Sequence, residues 1–114
     1  MPVHAIKLLG QGQLGTSLTT LYTVPSYPPS AFARVNAIWI ANTDSVAHTV
    51  TLRVGTGTLT AANSLMEAVS LAANTTMLLT GGEWMLTLGA DYLIQGLADT
   101  AAKVTITISG DEVQ

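Results

Sequence analysis

The 114-residue chain contains no cysteine, so it has no disulfide, thiolate metal site or cysteine nucleophile. It is also poor in charge. Asp, Glu, Lys and Arg make up 10% of the residues, against roughly 25% in ordinary domains. Four basic residues against seven acidic ones leave a net charge of −3 and a pI near 5.0. That supply of cations is too small to displace counterions from a phosphate backbone, so nucleic acid is not expected as a partner. No run approaches 18 uninterrupted apolar residues, so no transmembrane helix is expected and a membrane is not a partner. Met1–Leu9 carries one lysine and an apolar run too short for a signal-peptide core. The chain reads as a soluble protein made in the cytoplasm.

Apolar residues account for 48% of the chain, which rules out disorder, and the length suits one domain with a real core. Threonine occurs 17 times, clustered with Val, Ile and Leu, the mixture a half-buried pleated surface prefers. Val50, Leu52 and Val54 alternate with Thr49, Thr51 and Arg53, and Val104, Ile106 and Ile108 with Thr105 and Thr107. Both patterns predict strands with one buried face. Between Arg34 and Asn42, Val35, Ala37, Trp39 and Ala41 fall on one face and Ile38 and Ile40 on the other, as in a strand covered on both sides. Turn chemistry at Asn42-Thr43-Asp44-Ser45 follows, so a hairpin is expected from Val35 to Val54.

Further strands are predicted at Leu21–Val24, Thr76–Thr80, Trp84–Leu88 and Tyr92–Leu97, punctuated by Gly81-Gly82 and Gly89-Ala90-Asp91. Thr60–Ala73 fits either a strand or a short helix, and its alternation favours the strand. Pro25, Pro28 and Pro29 make Val24–Ala33 a rigid loop. The predicted architecture is all-β: a single antiparallel β-sandwich, jelly-roll-like, with about seven or eight short strands at residues 18–114 and an extended N-terminal arm at residues 1–17.

Gly10-Gln-Gly12-Gln-Leu-Gly15 matches the G-x-G-x-x-G pattern of dinucleotide loops. No crossover helix fits before the proline loop, and the first acidic residue is Asp44, so the segment reads as a glycine loop after the arm. His4 and His48 are the only histidines. Asp44, four residues before His48, is expected across a turn from it with no third ligand, so no metal site and no cofactor are expected. No G-x-S-x-G elbow marks a catalytic serine. The acids fall mostly in turns or near termini, where a glycosidase pair is not expected, and no catalytic residue is assigned. Asn74-Thr75-Thr76 is a glycosylation sequon, relevant only in a secretory pathway. Tyr27, Pro28, Pro29 and Phe32 form the candidate interface. Tyr27 and Phe32 read either as anchors in a partner's pocket or as plugs in the open end of the sandwich. Trp39 and Trp84, each in an apolar strand, read as core.

The runs Leu21-Tyr-Thr-Val-Pro25, Ala37-Ile-Trp-Ile-Ala-Asn-Thr-Asp44, His48-Thr-Val-Thr-Leu-Arg53, Ala72-Ala-Asn-Thr-Thr76 and Val104-Thr-Ile-Thr-Ile-Ser-Gly110 resemble a group of small β-sandwich virion proteins of tailed bacteriophages and prophages. The resemblance spans roughly Leu18 to Gly110 and rests on strand and turn patterns rather than catalytic signatures. The chain departs from the pattern at Ser26–Phe32, where a shorter, more charged turn would stand. Members of that group serve as capsid decoration (cement) proteins or as tail-tip and fibre components. The resemblance therefore implies a non-enzymatic virion component, assembled in the bacterial host cytoplasm, with the major capsid protein as partner. The alternative is a tail-tip or tail-fibre component that meets tail proteins and the host surface. A carbohydrate-binding module would need an aromatic platform, for which only Tyr27 and Phe32 are available.

With Lys7 and Lys103 the only lysines, sheet edges are thinly guarded. A homo-oligomer, dimer or trimer, is therefore expected. The glycine-bearing arm is a candidate clamp on a neighbour, and its removal is expected to leave the fold intact.

Overall fold

The computed structural model describes residues 4–26, 30–81 and 86–113. Among them nine strands form: β1 (His4–Gln13), β2 (Thr19–Thr23), β3 (Phe32–Asn42), β4 (His48–Gly55), β5 (Ser64–Leu71), β6 (Thr75–Thr80), β7 (Leu86–Gly89), β8 (Leu93–Ala98) and β9 (Val104–Val113). They make two antiparallel sheets. One runs β1-β9-β3-β6, with β7 also on β3, and the other runs β2-β8-β4-β5. β9 occupies one side of β3 along its length, while β6 pairs with Ala37–Asn42 and β7 with Phe32–Val35. β6 and β7 are thus two pieces of one interrupted edge. Counted so, each sheet has four strands, and the interleaved order is that of a jelly roll.

The alternation read from the sequence builds the core. Ile38 and Ile40 of β3 and Ile106 and Ile108 of β9 face Val50 and Leu52 of β4 and Ile94 of β8, all fully buried. Each such side chain contributes about 1.5–3 kcal/mol relative to remaining in water. The strand reading of 60–73 holds: Thr60 caps a three-residue 3-10 turn, Ala61–Asn63, and β5 follows.

Three expectations require correction. First, β3 and β4 are not a hairpin. They belong to opposite sheets, and residues 43–47 arch over the end of the sandwich, because β3 already has β9 on one side and β6 and β7 on the other. β4 pairs instead with β5. Second, the arm expected at residues 1–17 is, in its described part from residue 4 on, not a free arm followed by a glycine loop. Residues 4–13 form β1 along β9, and Leu14 is 1% exposed in the core with its N–H donated to Val104 O at 2.8 Å. Gly10 is needed because a Cβ there would press on the Leu21 carbonyl at 2.7 Å. This strand brings the total from eight to nine.

Third, Trp39 is not core. The β3–β9 register shifts between Val35 and Ala37, a bulge that changes which face successive side chains meet. Before it Ala33 and Val35 point inward, and after it Ile38, Ile40 and Asn42 do, leaving Trp39 38% exposed on the outer face. Trp84 lies outside the described residues.

Candidate interaction surface

The outer face of the β1-β9-β3-β6 sheet is built in rows by the strand register. Trp39 lies opposite Leu78 on β6 and Thr107 on β9, and Thr107 lies opposite Gln11 on β1. One row on, Ala37 lies between Thr80 and Ser109, with Leu8 beyond. Leu78 is 50% and Leu8 52% exposed. Short bonds tie the polar members to one another: Gln11 Nε2 donates to Thr107 Oγ1 at 3.1 Å and Ser109 Oγ to Asn36 Oδ1 at 2.8 Å. Among the described residues these rows carry no charge. The hydroxyls and amides of these rows are partly satisfied by each other, so covering them with protein removes apolar surface without stripping water from an ion.

Farther along the same sheet, Arg34 pairs with Asp111, which is buried, and its guanidinium lies 5.9 Å from the centroid of the Phe32 ring. Phe32, the described member of the candidate interface, is half-buried at the start of β3 opposite Gly89 and Val113. Tyr27, Pro28 and Pro29 lie outside the described residues. Beneath β3's neighbour, the Tyr22 hydroxyl donates to Glu112 at 2.5 Å. Burial first, then this carboxylate, hold the phenol well above its ordinary range.

The opposite end of the sandwich holds a polar knot. Buried Asn42 donates through Nδ2 to the carbonyls of Val46, Leu71 and Ala72 at 2.9–3.2 Å and accepts from the Asp44 N–H at 3.0 Å. It thereby joins the β3–β4 arch to the β5–β6 turn. His48, also buried, meets Asp44 Oδ2 through Nε2 and Asp99 Oδ1 through Nδ1, both at 2.8 Å. The sequence reading placed Asp44 and His48 apart; the arch folds back and closes them, and Asp99 arrives from the β8–β9 turn. Carboxylates only accept, so both contacts need a proton on each ring nitrogen. The bond to Asp44 raises the imidazole above its ordinary value, and the same bond lowers Asp44 below the usual carboxylate range. The two carboxylates sit at opposite nitrogens of the ring and do not converge with a lone pair on one point. Among the described residues no cluster of His, Asp and Glu is arranged to hold a metal.

No protein-family model and no curated protein sequence matches the chain. Solved structures do. A chain in the structure of the infectious bursal disease virus Gx strain matches 99% of this chain at TM-score 0.53 and 11% identity. One in the crystal structure of the T13 particle of infectious bursal disease virus matches 98% at TM-score 0.52 and 9% identity. The likeness is one of fold. The chain spans about a third of the length of those chains, 32% and 30%. Both matches are to chains from this virus, so the likeness is to a β-sandwich found in a virus and not specifically to tailed-phage accessory proteins.

Proposed function

We propose that this chain is a structural component of a virion: a decoration protein of a tailed phage that lies on the outer capsid and bridges capsomer joints by contact with the major capsid protein. The reading is supported above all by one observation, a jelly roll like that of chains from a virus, whose sheet of β1, β9, β3 and β6 presents uncharged outer rows around Trp39 and Leu78. Such a face binds through buried apolar area, and a shell that repeats one site many times multiplies a modest contact. The role asks for no catalysis and no cofactor.

The test is the copy number of this chain in purified virions, measured by quantitative mass spectrometry against the major capsid and tail-tube proteins. A number that tracks the capsid protein is expected. A handful of copies per particle would move the protein to the tail tip, and absence from the particle would overturn the virion role.

A further inference from the structure

Five strands lie at sheet edges: β1, β6 and β7 in one sheet, β2 and β5 in the other. An edge offers free N–H and C=O groups to any extended chain, and natural sheets blunt it with bulges, charge, proline or short length. Four of the five are blunted. The register of β1 shifts between Leu8 and Gly10, and that of β2 between Thr20 and Tyr22. β5 is irregular twice against β4, has Ala68 at φ 48°, and carries Glu67. β7 is four residues long among the described residues. β6 has none of these guards. Its six residues, Thr-Thr-Met-Leu-Leu-Thr, contain no charge, glycine or proline, and they pair with β3 in unbroken register from Thr75 opposite Asn42 to Thr80 opposite Ala37. Among the described residues no strand pairs with its other side.

We infer that β6 pairs antiparallel with β6 of a second copy of this chain, about a two-fold axis through Leu78. In that register Leu78 faces its own counterpart, Met77 faces Leu79, and Thr76 faces Thr80. Directly opposite residues share a face of the sheet. Met77 and Leu79, which pack against the core, therefore carry the inner apolar row across the junction. Half-exposed Leu78 meets Leu78 on the outside, with a Trp39 on either flank. Threonine meets threonine, a favourable cross-strand pair. An axis through Met77 would instead oppose Thr75 to Leu79 and Thr76 to Leu78, and pair the strand less well.

The choice of a second copy as occupant rests on charge. A two-fold contact places a patch against itself, so any charge near the axis meets its own kind. This chain carries −3 overall, yet β6 carries nothing to repel its copy. The result is one continuous sheet, β1-β9-β3-β6 followed by its two-fold mate. This inference concerns the free protein and does not depend on the virion reading.

The chain has no cysteine, so Leu78→Cys introduces a single thiol. Opposed Cα atoms in an antiparallel pair are about 4.5–5.5 Å apart, within the span of about 4.4–6.8 Å that a disulfide bridges. On mild oxidation the L78C protein is expected to become a covalent dimer nearly completely. Val46→Cys, at a 55%-exposed site on the β3–β4 arch, is the control and is expected to form little covalent dimer. In sedimentation equilibrium the unmodified protein is expected at twice the 11.8 kDa of the chain. The T76K/T80K double variant, with both changes at exposed sites, is expected at the single-chain mass with an unchanged circular dichroism spectrum. L78C dimer no more abundant than V46C dimer, a wild-type mass of one chain, or a lysine variant that keeps the wild-type mass would each overturn the pairing. The cysteine comparison stands even if the lysine variant misfolds.

Discussion

Trp39 and Leu78 stand directly opposite one another across β3 and β6, and both side chains leave the sandwich on its outer side. An exposed Trp–Leu pair on the outer face of a sheet contributes little to the stability of a single chain. A cross-strand pair contributes about 0.2–1 kcal/mol. Trp39→Ala is therefore expected to lower the unfolding free energy by about 1 kcal/mol or less. Ile40→Ala, one residue on and fully buried, is expected to lower it by about 2–5 kcal/mol. Urea titrations of the two variants check the contrast.

The N-terminal strand is part of the fold. Deleting residues 1–17 removes one of the two strands paired with β9 and the buried Leu14, exposing the Ile106 and Ile108 strand along its outer edge. The truncated protein is expected to lose cooperative thermal unfolding, or to aggregate, rather than to fold and bind more weakly. Circular dichroism melting of the truncated and full chains distinguishes these outcomes.

Asn42 satisfies three carbonyls on two different turns. Asn42→Ala leaves those acceptors without their donor in a buried place, an expected loss of about 1–3 kcal/mol. Asn42→Asp removes the same donors and adds a carboxylate beside the carbonyls, so it is expected to be worse than alanine. Denaturant midpoints of the two variants give the order.

The His48 clamp sets a pH dependence. Its imidazole is raised in the folded state by the bonds to Asp44 and Asp99, so the stability it supplies is complete below the unfolded value of 6.5 and is lost as pH rises through the higher folded value. Asp44 is lowered, so its share is complete above the unfolded value of 3.8 and is lost as pH falls through the lower folded one. The cluster is expected to stabilise most between those two unfolded values. The melting temperature of the unmodified protein should fall from pH 6 towards pH 9, and that of His48→Gln should show less of this decline.

Strands with an unbroken two-residue period were legible in the sequence, because one buried face forces the alternation. Val50–Val54 and Val104–Ile108 are the examples. The departures trace to features that leave little mark on composition. The bulge near Asn36 reverses the facing of every later residue in β3, so Trp39 sits outside although its neighbours are apolar. Ile38 and Ile40, β-branched and two apart, were the signal that their side was the core and Trp39's was not. Turn residues at Asn42–Ser45 serve a hairpin and an arch equally, so the choice between them lay in the partners of β3. Gly10 read as part of a loop because its use, close approach to the Leu21 carbonyl of β2, is a tertiary matter. Asp44 and His48 were visible as a pair by spacing. Asp99, 51 residues from His48, was not.

The central claim is that the outer face around Trp39 and Leu78 attaches this protein to a virion. The most direct measurement is co-sedimentation of purified protein with virions stripped of it, comparing the unmodified chain with Trp39→Lys. The account predicts that the unmodified chain saturates the particles in proportion to capsid protein. The lysine variant, folded by circular dichroism, should stay in the supernatant. Equal binding by both would contradict it.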